Sequence, residues 1–151
     1  MGGDLLGDPA GRSPNFLIAA MKDPMSGNLD RIQVVKVWLD GKGNRQEKVF
    51  NVAWSGDREL NSKGELPAVG STVDIANATW TNTIGTPEMV TVWTDPEFDP
   101  GLPASYYVRV LEIPTPRWTA YEAKRYGITM DPEIPMVTQE RAYTSPIWYT
   151  P

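Results

Sequence analysis

The chain has 151 residues, no cysteine, no histidine, 14 prolines and a net charge of −5. That length fits one domain able to bury a sizeable core, and the acidic balance without a basic stripe argues against a nucleic-acid partner. The missing residue types remove thiol chemistry, disulfides and the commonest general base and transition-metal ligand, while chemistry by carboxylates alone stays possible.

The first thirteen residues, with "MGGDLLGDPAG", are expected to be irregular. They lack the basic and apolar regions of a secretory signal. "NFLIAAM" (15–21) alternates, with Phe16, Ile18 and Ala20 on one face and Leu17 and Ala19 on the other, the period of a strand. "RIQVVKVWL" (31–39) is apolar on both faces, so a covered, central strand is predicted. "DGKGN" (40–44) then reads as a hairpin turn into "EKVFNVAW" (47–54), where Phe50, Val52 and Trp54 align. "STVDIANATW" (71–80), "EMVTVWT" (88–94) and "SYYVRVLEI" (105–113) are further predicted strands, separated by joints rich in Pro, Gly and Asp. In the last of them Tyr106, Val108 and Val110 share a face.

One helix is predicted near residues 116–126 within "PTPRWTAYEAKRYG". Thr119 can cap it with Glu122 three residues on, or it can start at Thr115 with Pro116 in the first turn. Gly127 suits a left-handed exit, and Lys124 and Arg125 suit the negative end of the dipole. "ITMDPEIPMVTQ" (128–139) is read as a proline-kinked strap. "AYTSPIWYT" (142–150) is read as the closing strand, with Pro146 at an edge, bulge or strand start. This pattern predicts a mainly β, antiparallel β-sandwich of immunoglobulin-like type over residues 14–151. No run is long and apolar enough for a membrane helix.

Several residues are candidates for chemistry. Asp95, Glu97 and Asp99 alternate in "TDPEFDPG", a spacing that can hold calcium, though a proline-shaped turn with solvated acids is the favoured reading. No pair of the nineteen acids stands out as a hydrolytic dyad. Ser13 and Ser145 have no histidine to activate them, and the Asn77 triplet lies in a strand pattern. Tryptophans in strand patterns are expected in the core, whereas Trp118, beside Arg117, is placed to meet a partner or ligand. Arg117, Trp118, Tyr121, Arg125 and Arg141 are the predicted contact residues, because arginines and aromatics dominate interface hot spots.

The tracts "KDPMSGNLDRIQVVKVWLD", "KVFNVAWSGDRE", "VGSTVDIANATWTNTIGTPEMVTVWTDPEFDP", "SYYVRVLEIPTPRWTAYEAKRYG" and "QERAYTSPIWYTP" together resemble the C-terminal region of the bacterial domain of unknown function 3604 family, related to the polymerase and histidinol phosphatase (PHP) group. The resemblance runs from about Pro14 to Pro151. It implies a parent whose N-terminal part is a metal-dependent hydrolase built from histidines and acids. None of those ligands can be placed here, so the resemblance implies no cofactor in this chain and a divalent metal only in the other part. The implied partners are that catalytic part in cis or a second copy. The absence of cysteine is compatible with either the cytosol or the periplasm. The readings from another class are a stand-alone glycan- or ligand-binding module and, least favoured, an acid-based enzyme.

Overall fold

A computed structural model describes residues 2–8 and 10–151 of the protein. The architecture is mainly β: β1 (Gly3–Leu6), β2 (Asn15–Met21), β3 (Leu29–Leu39), β4 (Arg45–Trp54), β5 (Glu88–Thr94), β6 (Ala104–Glu112), β7 (Thr115–Pro116), α1 (Trp118–Tyr126), β8 (Val137–Thr138), β9 (Arg141–Tyr143) and β10 (Ile147–Thr150). Three sheets result: a six-stranded one in the order β1-β10-β6-β3-β4 with β9 also on β6, and the pairs β2-β5 and β7-β8. The segment expected to be irregular carries β1, which runs parallel to β10; four residues are too short for alternation to register.

β3 and β4 form the expected hairpin. Asp40 N donates to Asn44 O, and Gly43 takes φ +80°, which its missing Cβ permits. β3 lies between β4 and β6, so both its edges are paired, and residues on both its faces are almost fully buried: Ile32 and Val34 on one and Val35 on the other. Asp30 is the extra residue where the β3–β6 register slips between Leu29 and Arg31. A bulge of this kind re-aims one side chain, and the Asp30 carboxylate is fully buried.

The β2–β5 ribbon turns Phe16 and Trp93 onto Tyr106 of β6, with ring centroids 5.0 and 6.3 Å from the tyrosine. Phe50 of β4 meets Trp93 at 5.1 Å. Ile18, Leu29, Met89 and Tyr149 complete this core. The closing segment is one strand position split in two. Between the pairs Arg109–Tyr143 and Tyr106–Ile147 the closing segment has one residue more than β6. Pro146 falls in that bulge, and Thr144 Oγ1 accepts the Val108 N–H there. The terminal aromatics therefore alternate: Tyr149 is buried and donates to Pro100 O, while Trp148 and Tyr143 are exposed.

Two further sequence readings are corrected. "STVDIANATW" is a tight loop closed by an Asp74–Thr79 bridge instead of a strand. Its polar side chains out-compete a ladder: Asp74 Oδ1 accepts the Asn77 N–H, Asp74 Oδ2 accepts Asn77 Nδ2, and Ala78 is driven to φ +48°. Neither predicted helix start is used. Thr115–Pro116 is extended as β7, paired with β8, and the helix opens at Trp118 after Arg117 with no side-chain cap. The expected exit is found, with Gly127 at φ +63° and its N–H on Ala123 O.

Candidate interaction surface

The first turn of α1 is bolted to the strap that follows the helix. Arg117 N donates to Met136 O, and Thr119 Oγ1 donates to Pro135 O at 2.6 Å. Thr119 thus anchors the helix to residues 16 positions later instead of capping it. Ala120, fully buried, is the other inward residue. That anchoring turns Trp118 outward, 59% exposed, with the Arg117 guanidinium 5.3 Å from its ring centre. A cation over an indole face gains electrostatically from the ring quadrupole and fixes both groups.

Between this pair and the strap lies an open groove of about 760 Å³. Glu122, Met130, Asp131 and Ile134 line it with Arg117 and Trp118. Asp131 shapes the strap by accepting the Glu133 N–H at 2.9 Å. On the same helix Tyr121 is exposed, and Arg125 lies over Tyr126 at 5.6 Å, not over Tyr121. Lys124 Nζ donates to Asn77 O, tying the outer end of α1 to the 74–79 loop. The structure therefore unites Arg117 and Trp118 in one groove and sets Tyr121 and Arg125 on the same helix. Arg141, on β9, lines a different groove, of about 460 Å³ between β9 and β2.

The alternating acids do not converge. Asp95 is buried against Lys36 Nζ at 2.6 Å and the Tyr106 hydroxyl at 2.8 Å, and its Oδ1 accepts the Glu97 N–H. Glu97 pairs with Lys48, and Asp99 accepts the Gly101 N–H. Among the described residues no three His, Cys, Asp or Glu side chains are grouped as a metal would need. Burial, reinforced by the hydrogen bond to the Asp95 carboxylate, holds the Tyr106 phenol well above its usual range.

The residues that sequence reasoning missed are the buried ionic ones. Lys36 is buried on the core face of β3, and Nζ also donates to Glu97 O. Asp30 Oδ2 accepts Arg31 Nε and Gln139 Nε2, both at 3.1 Å. Arg58 Nη2 lies 2.8 Å from Asp30 Oδ1, although that oxygen receives no well-aligned hydrogen bond. Their signal was available: a lysine on the apolar face of a doubly covered strand needs a buried partner. Of the strand tryptophans, Trp38 and Trp93 pack on the core as expected, whereas Trp148 is 53% exposed. Among the described residues no helix is long and apolar enough to cross a membrane.

A family model, described as "Protein of unknown function (DUF3604)", matches residues 1–151. No curated protein and no solved structure matches the chain.

Proposed function

The chain belongs to the DUF3604 family of proteins of unknown function, and from that premise we propose that it is a non-catalytic β-sandwich accessory domain of a metal-dependent hydrolase, packing on the catalytic part through α1. The sandwich reading is supported by the β2–β5 ribbon lying on the large sheet through Phe16, Trp93 and Tyr106. The observation that carries the docking reading is the outward Trp118 held under Arg117 at the mouth of an open groove. A tryptophan presented in a fixed rotamer loses little freedom on binding and contributes a large contact area. Asp95, Glu97 and Asp99 are engaged in turns and ion pairs, which leaves these three poor candidates for a hydrolytic centre.

The test begins with the reading frame upstream of the Met1 codon. Continuation into a His- and Asp-rich region supplies the catalytic part, which is then expressed separately and titrated with this chain by calorimetry. Trp118→Ala is expected to weaken association about 30-fold or more, as a hot spot of about 2 kcal/mol does. A stop codon directly before Met1, or association unaltered by Trp118→Ala, overturns the proposal. A second reading, a glycan-binding module, draws on the same exposed ring beside Glu122 and Asp131. Titration with oligosaccharides, read by tryptophan fluorescence, supports it only if the signal change is lost in Trp118→Ala.

A further inference from the structure

β2 has one partner, β5, and its opposite edge is open. Lys22 N donates to Pro87 O in the register that pairs Ala20 with Met89 and Ile18 with Thr91. Bonded pairs alternate along an antiparallel ladder, so Phe16, Ile18, Ala20 and Lys22 spend their backbone groups on β5. The N–H and C=O groups of Leu17, Ala19 and Met21 then point to the open edge. Among the described residues no other element bonds them. Beside this edge run two grooves, of about 460 and 200 Å³, with Val108 of β6 lining both.

The edge is undefended. Natural sheets blunt such edges with charge, proline or a bulge. Asn15–Met21 has no charged residue, no proline and no register shift. β4, at an end of the large sheet, opens with Arg45, Glu47 and Lys48 instead. The face beside the β2 edge is apolar as well: Leu17 is 75%, Met21 81%, Val90 67% and Val92 65% exposed.

We propose that β2 pairs with β2 of a second copy, antiparallel about a two-fold axis at Ala19, joining the two ribbons into one β5–β2–β2–β5 sheet. The occupant is argued from self-complementarity. An antiparallel two-fold centred on Ala19 sets Ala19 against itself and Leu17 against Met21, so each residue with free backbone groups meets another. The same register sets Lys22 against Phe16 and Asp23 against Asn15, so no like charges meet. An axis on Leu17 leaves Met21 facing Ser13, beyond the strand. The pairing is independent of what docks on α1.

Sedimentation of the full chain across a concentration series tests this. A dimer is expected, and Ala19→Pro should weaken it at least 100-fold; the Ala19 N–H is not used within the ribbon, so no internal bond is lost. Ala19→Lys, which places like charges at the axis, is the second variant should the proline variant fail to fold. Circular dichroism confirms the fold of each. The chain has no cysteine, so Ala19→Cys should form an intermolecular disulfide across the axis under mild oxidation. A monomer at every concentration overturns the proposal. So does a dimer that survives both folded variants, or a monomer that binds a foreign strand peptide at this edge.

Discussion

Lys36 and Asp95 form an ion pair whose side chains are 5% and 0% exposed. Replacing Lys36 with Met keeps the volume and removes the charge. It leaves the Asp95 carboxylate with only the Tyr106 hydroxyl and the Glu97 N–H, and it removes the bond from Nζ to Glu97 O that holds the 95–99 turn on the sheet. Breaking one side of a buried pair costs about 3–5 kcal/mol, because a charge is stranded away from water. For a chain of this size each kcal/mol lowers Tm by about 2–4 °C, so a fall of about 6–20 °C is expected by calorimetry. Asp95→Asn alone should fall comparably, since it strands the ammonium. The double variant Lys36→Met/Asp95→Asn strands neither, and it should cost less than the sum of the singles by about 1–3 kcal/mol. The reasoning fails if either single variant costs under about 1 kcal/mol, or if the two effects add to within about 0.5 kcal/mol.

Gly85 adopts φ +77°, and a Cβ there meets Asn28 Cβ at 2.6 Å and Ile113 Cγ2 at 2.7 Å. Gly85→Ala adds a left-handed penalty to a clash with a fully buried isoleucine and should destabilise by about 2–5 kcal/mol in urea unfolding; a loss under about 1 kcal/mol contradicts this packing. Asp40 accepts the backbone N–H of Asn44, and this bond chiefly holds its carboxyl below the ordinary 3.8. A lowered folded pKa contributes stability present above 3.8 and lost as pH falls through the folded value. Asp40→Asn should therefore flatten the fall of Tm with acid below about pH 4, and an unaltered slope counts against the turn's role.

What was legible in the sequence and what was not divide along physical lines. β2, β5 and β6 were readable because each turns one apolar face to a core, so alternation carries the signal without knowledge of the partner. The Asp30 bulge was not, since a bulge is a property of two strands in register and one strand cannot show it. "STVDIANATW" alternates like a strand, yet Asp74 and Asn77 satisfy the backbone locally, and local hydrogen bonds need no partner strand. Thr119 carries the residues of a capping box, but its hydroxyl goes to Pro135, a choice made by the strap's return. For the contact residues, proximity along α1 delivered Arg117 and Trp118 to one groove. Arg141 lies 24 positions beyond Arg117 in the chain, and only the sheet topology decides which groove it lines.

The distribution of charge bears on function more than any one residue does. The most deeply buried ionic groups are spent as staples: Asp30 binds the bulge to Arg58 and Gln139, and Lys36 binds the 95–99 turn to β3. A catalytic group needs free lone pairs or a proton facing a cleft, and these groups face each other. Conversely, what the chain presents outward is Trp118, Tyr121 and Tyr126 on α1 and Leu17, Val90 and Val92 on the ribbon. Apolar side chains at such exposures keep water ordered with no return unless another surface removes it. Three charged side chains, Asp30, Lys36 and Asp95, are buried and paired, while large aromatic and aliphatic groups stand exposed on α1 and along β2; these two faces are where the proposed docking partner and the proposed second strand are to be sought.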